Sequence, residues 1–259
     1  MTYIISICSG KGGVGKTNVV INLGMALKNL GKDVTLLDAN LTAPNLGLNL
    51  GFSKIPITLN DALKGRNHIT EAVYIHSSGI KVLPASIALK DLSDVYPEKL
   101  KEAYSDLKKN SELVIVDNAP GLGREVVNSI KNSDEILVVT NPDLASVTDA
   151  LRTVKLAKNL KIPIRGIVLT RFNESKYELS ISEVESIIGE KIISIIPEDD
   201  FVKSSIKQKS SVITLYPKSK SSLAYKKLAS DILGMKFNEE YKEDITNIHK
   251  LLRFFGFRK

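Results

Sequence analysis

The sequence predicts an α/β fold: a mostly parallel, twisted sheet flanked by helices on both faces. Three observations lead there. Short apolar runs of strand type alternate along the chain with longer segments of helical spacing. Two of those runs end on a carboxylate, Asp38 and Asp117. A glycine-rich loop, Gly10-Lys11-Gly12-Gly13-Val14-Gly15-Lys16-Thr17, joins the first run to the first helical segment. Such alternation favours parallel strands with right-handed crossovers, and ligands then sit beyond the carboxyl ends of the strands.

The first strand is Tyr3-Ile4-Ile5-Ser6-Ile7-Cys8. The loop after it fits the phosphate-binding pattern G-x-x-x-x-G-K-[ST], opening at Gly10 and running through Val14 to Lys16 and Thr17. Gly12, Gly13 and Gly15 have no Cβ, so the backbone can close around phosphate oxygens. Consecutive N–H groups and a helix N-terminus then face the anion. Lys16 can reach the β- and γ-phosphates of ATP or ADP, and the Thr17 hydroxyl can ligate Mg²⁺. The helix from Asn18 to Leu30 carries Val19, Ile21, Leu23, Ala26, Leu27 and Leu30 at helical spacing.

Asp33 to Asp38 reads as the second strand. Thr58 to Ala62 starts a helix that ends in a turn at Lys64-Gly65. Gly79 to Ser86 is a strand leaving into a loop. Pro97 to Lys109 is an amphipathic helix with proline in its first turn. Leu113 to Asp117 is a buried-type strand whose terminal carboxylate can hold Mg²⁺, commonly through water. Glu135 to Thr140 is a strand and Leu144 to Leu160 a helix. Ile164 to Thr170 is a strand that runs into Arg171-Phe172-Asn173. Ser180 to Ile188 is a helix, and Ile192 to Ile196 the last strand. It is followed by Pro197-Glu198-Asp199 and by helices over 200–210 and 219–233.

After Gly234 the character changes. Residues 1–236 form the globular domain, and 237–259 a spacer and tail. The spacer carries Glu239, Glu240, Glu243 and Asp244. From Ile245 on, Ile245, Ile248, Leu251, Leu252 and Phe255 fall within roughly a third of a helix turn, with Lys250 and Arg253 opposite. This is the composition of an interfacial helix, with cations for anionic headgroups and Leu and Phe for the acyl boundary. A helix docked on its own domain, or a dimerisation helix, would use the same pattern.

The 259 residues are 43% hydrophobic and 25% charged, which suits one large α/β domain with a tail. A single cysteine excludes a disulfide framework or a four-cysteine metal site, and Cys8 reads as a core thiol. His68, His76 and His249 have no ligand spacing. No signal peptide and no apolar run long enough to span a membrane are visible, so the expected location is cytoplasmic. A net charge of +7 permits an anionic partner, nucleic acid or membrane, or only a lysine-rich solvated surface. With no tryptophan, base-stacking recognition of nucleic acid is not expected.

The loop Lys11-Gly12-Gly13-Val14-Gly15-Lys16-Thr17, with its second lysine, resembles the deviant Walker A motif of the MinD/ParA family of P-loop ATPases. Pro84-Ala85-Ser86 after Leu83, and Ile196-Pro197-Glu198-Asp199, are similar to segments of the MinD branch. The resemblance implies that Lys11 reaches across a homodimer interface to the partner's ATP. It implies that Asp38 orders the Mg²⁺ site, and that Asn45 in switch I, with Pro120 and Gly121 in switch II, lines the interface. Gly121 would present its N–H to the γ-phosphate. Arg171 and Asn173 would meet the adenine, and the loop at Pro197, Glu198 and Asp199 would wall it. Position 40 departs from the family. Asn40 stands where an aspartate usually positions the attacking water, and a neutral amide can orient water but not take its proton. The implied function is an ATPase switch. Mg-ATP drives dimerisation and attachment of the tail to the inner face of the cell membrane. Hydrolysis, slowed at Asn40, releases it, and an activating or effector protein sets the cycle. A DNA-binding partition ATPase is the alternative within the family. An iron–sulfur carrier would need paired cysteines.

Overall fold

The structure, a computed structural model, describes residues 2–52, 54–88, 91 and 97–237. Eight strands form one sheet: β1 (Tyr3–Cys8), β2 (Val34–Asp38), β3 (Tyr74–Ile75), β4 (Lys81–Leu83), β5 (Leu113–Asp117), β6 (Glu135–Thr140), β7 (Ile164–Phe172) and β8 (Ile192–Pro197). Their order is β3-β4-β2-β5-β1-β6-β7-β8. Neighbours pair in parallel throughout, apart from the antiparallel β3–β4 edge. The expected parallel α/β fold is therefore present.

Ten α-helices surround the sheet: α1 (Lys16–Asn29), α2 (Leu46–Asn49), α3 (Leu59–Leu63), α4 (Leu100–Leu107), α5 (Arg124–Lys131), α6 (Leu144–Asn159), α7 (Ile181–Ile188), α8 (Asp200–Lys207), α9 (Val212–Leu215) and α10 (Lys220–Ile232), counted among the described residues. The central strand β1 shows how they are placed. Its Ile5 and Ile7 pack with Leu23 and Leu27 of α1 and Tyr225 and Leu228 of α10. Ile4 faces the other way, onto Leu100, Tyr104 and Leu107 of α4. Cys8 lies with Val126 and Ile130 of α5 and Val147 of α6. A strand covered on both faces needs apolar residues at every position, so these strands read as continuous runs rather than alternating ones. Ser6 is the polar exception in β1. Its hydroxyl is 2.6 Å from that of Ser133, within a buried network that reaches Tyr104 through Ser129. Burial pushes the Cys8 thiol up to about 12, so it stays protonated and inert.

Several bounds move from expectation. The helix expected from Pro97 begins as a 3₁₀ turn, Pro97–Lys99, before α4. Only Lys81–Leu83 of the 79–86 segment pairs as a strand. β7 runs on through Arg171 to Phe172. Helices α2, α5 and α9 and strand β3 were not expected. Among the described residues no helix is long and apolar enough to cross a membrane. The tail residues Ile245, Ile248, Lys250, Leu251, Leu252, Arg253 and Phe255 lie outside the described residues, as does the acidic part of the spacer.

Candidate functional site

The phosphate loop leaves β1 at Cys8, between the ends of β5 and β6, where Ile7 pairs with Asp117 and Cys8 with Val138. Gly13 at φ 82° and Gly15 at φ 91° occupy the left-handed region that a Cβ disfavours. Gly10 is required for another reason. A Cβ there would lie 2.2 Å from the backbone oxygen of Asp149 on α6. The loop is pinned at both ends. The Ser9 hydroxyl donates to the Lys11 carbonyl at 3.0 Å. The Thr170 hydroxyl, at the end of β7, donates to the Val14 carbonyl at 2.6 Å. Helix α1 then starts at Lys16, and the N–H groups of its first turn have no partner within the helix.

Three of the expected phosphate and metal residues meet directly. Lys16 Nζ is 2.6 Å from Asp117 Oδ1, and the Thr17 hydroxyl donates to Asp117 Oδ2, also at 2.6 Å. Asp38 stands beside Asp117, since β2 and β5 pair in register at these residues. Burial, and then the charge of Asp117, push the Asp38 carboxyl well above the usual carboxylate range. Both of its oxygens also accept backbone N–H groups, from Asn40 at 3.1 Å and Leu46 at 3.0 Å. A hydroxyl and two carboxylates at the mouth of a phosphate loop are a hard oxygen set. That fits Mg²⁺, which takes one or two carboxylates and completes its shell with water and substrate phosphate.

Switch I is a loop closed by side chains. Asn40 Nδ2 donates to the Ala43 carbonyl at 2.7 Å, and Asn40 Oδ1 accepts the Ala43 N–H at 3.1 Å. Asn45 Nδ2 donates to the same carbonyl at 2.9 Å. The amide expected to orient water is thus engaged at both ends by the loop itself. Thr42 lies 3.4 Å from Asn40 Oδ1 and 3.4 Å from Glu125 Oε1, so the first turn of α5 touches switch I. Burial raises the Glu125 carboxyl above its ordinary range. In switch II, the Gly121 N–H, expected to face phosphate, donates to the Ser9 carbonyl at 2.9 Å and ties this segment to the start of the phosphate loop.

A cleft of about 310 Å³ brings these parts together; its walls include Gly12, Gly13, Lys16, Thr17, Asn40, Asn45 and Pro120. Beside it, a pocket of about 60 Å³ is lined by Pro197, Glu198 and Asp199. Gly15, Asn18, Arg171 and Ile206 border both. The residues expected to hold phosphate thus line the larger cleft, and those expected to wall the base line the smaller pocket beside it. Arg171 sits at φ 56°. Glu198 pairs with Lys203 at 2.8 Å. Asp199 is spoken for: one oxygen caps α8 at the Phe201 N–H, and the other accepts from the Ser221 N–H and hydroxyl. Asn173 lines neither pocket, and its N–H is held at 3.0 Å by Glu178. Lys11 is exposed and lines neither pocket. Sequence reasoning missed Asn18, Asn49, Thr170, Glu125 and Glu178. Asn18 and Asn49 adjoin segments already singled out. The other three act through space, with no signal in their spacing.

Comparison with known proteins places the chain in a family of P-loop NTPases. The ParA family model, described as NUBPL iron-transfer P-loop NTPase, matches residues 1–233. An uncharacterised ATP-binding protein of Methanocaldococcus jannaschii is 34% identical over 243 residues, covering 94% of this chain and 92% of that protein. The septum site-determining protein MinD of Pyrococcus horikoshii, solved with Mg-ADP, superposes with a TM-score of 0.86 at 31% identity, over 90% of this chain and 96% of that one. The MinC:MinD cell division complex of Aquifex aeolicus gives 0.82 at 28% identity, over 92% and 98%.

Proposed function

The chain belongs to the ParA family of P-loop NTPases, and from that footing we propose that it is a MinD-like ATPase switch. Mg-ATP binding drives homodimerisation and reversible attachment of the 245–259 segment to the cytoplasmic face of the membrane, and hydrolysis releases it. The observation that carries this reading is the single cleft shared by the phosphate loop, switch I and switch II. Lys16 sets its charge beside Asp117 at the bottom of that cleft. Thr17, Asp117 and Asp38 are the residues that would hold Mg²⁺, which offsets negative charge on the phosphate oxygens. Lys11 is exposed, where it can reach a partner protomer, and Asn45 and Pro120 line the rim. The neutral Asn40 makes hydrolysis slow. A relative solved in complex with MinC supports an effector protein, and division-site placement is the process the relatives suggest. The iron transfer in the family description calls for accessible thiolates. The one cysteine here is Cys8, buried under the loop.

The test is light scattering of the full chain in Mg-ADP and Mg-ATP, beside Lys11→Ala. The native chain should double its mass in ATP alone, and Lys11→Ala should bind ATP yet remain monomeric. A native chain that stays monomeric in ATP would refute the switch.

A further inference from the structure

Asn40 engages both ends of its amide with one residue of its own loop. Its Oδ1 accepts the Ala43 N–H and its Nδ2 donates to the Ala43 carbonyl, while the residue is 6% exposed. The amide orientation follows from the contacts themselves. Turned over, it would set N–H against N–H and oxygen against oxygen. A carbonyl oxygen has two lone pairs, and here the amides of Asn40 and Asn45 take both. The ends of the same loop are held by Asp38, through the N–H groups of Asn40 and Leu46. Asp38 therefore closes the outline of switch I and Asn40 fixes its middle. A carboxylate at position 40 could still accept the Ala43 N–H, but it has no donor for the Ala43 carbonyl and would oppose it oxygen to oxygen.

We propose that Asn40 is a positioning residue: it fastens switch I to itself and, through the Ala43 carbonyl, sets Asn45 for the partner protomer. The consequence for dimerisation rests on the function proposed above; the fastening does not.

The experiment compares the full native chain with Asn40→Ala and Asn40→Asp in two measurements. In the first, amide hydrogen exchange at Ala43 in the ADP-bound protein, Asn40→Ala should exchange about tenfold faster, while Asn40→Asp, which keeps the acceptor, stays near native. In the second, both variants should weaken the ATP dimer about tenfold, the effect of one lost buried hydrogen bond. Native exchange at Ala43 in Asn40→Ala would overturn the fastening. Native dimer affinity in both variants would overturn the positioning role. A native chain that never dimerises would refute the function instead, and the exchange result would then decide the fastening alone.

Discussion

Lys16 and Asp117 form an ion pair with both side chains almost sealed from water, at 8% and 1% exposure. Removing one member of such a pair leaves the other charge buried and unpaired, which typically costs about 3–5 kcal/mol. Lys16→Ala is therefore expected to lose ATP affinity and also to lower the midpoint of urea unfolding. Adding Asp117→Asn should restore much of the stability and none of the affinity. Urea melts and nucleotide titration of the single and double variants check this; an unchanged midpoint in Lys16→Ala would contradict the buried pair. These two residues were legible because each stands at a fixed place in a local pattern, a lysine after a glycine loop and an aspartate after an apolar run. Thr170 was not. Its hydroxyl holds the Val14 carbonyl across 156 positions of chain, a relation no spacing encodes. Asp199 was read as a wall for the base and lines the small pocket beside the cleft, but the sequence could not reveal that its oxygens cap α8 and bind Ser221.

Among the elements, the long helices and buried strands were legible, since apolar content and period are strongest there. Helices α2 and α9 have four residues each, a single turn, which is too short to show any period. Helix α5 did carry a signal, Val126 and Ile130 four apart on its buried face, but it directly follows switch II and was absorbed into that loop. Helix α9 depends on a buried side chain of another helix. Asn22 of α1 accepts the Val212 N–H at 2.9 Å and donates to the Asn18 carbonyl at 2.8 Å. Asn22→Ala would leave a buried N–H unpaired, a loss of about 1–3 kcal/mol. Chemical unfolding of that variant should show this loss, with the 211–216 segment exchanging its amide hydrogens faster. Native stability would mean that α9 is held by its apolar contacts alone.

Across the whole molecule, strand order explains why the site works as one unit. Strands β2, β5 and β1 are neighbours, and from their carboxyl ends leave switch I, switch II and the phosphate loop in turn. Alternation of strands and helices predicts a parallel sheet, but it does not say that β5 inserts between β1 and β2. The one hint was chemical: Asp38 and Asp117 both read as metal residues, which requires their strands to lie side by side, as their register shows. A change at the bound phosphates can thus reach both switches through adjacent strand ends. If the tail is a short interfacial helix, one copy binds membrane weakly and two copies on a dimer bind together, because the second insertion is intramolecular. The most direct test is co-sedimentation of the full chain with anionic vesicles in Mg-ADP, Mg-ATP and a non-hydrolysable analogue, with and without residues 245–259. The account predicts pelleting in ATP and in the analogue, little in ADP, and none without the tail. Equal pelleting in ADP and ATP, or pelleting that survives removal of the tail, would contradict it.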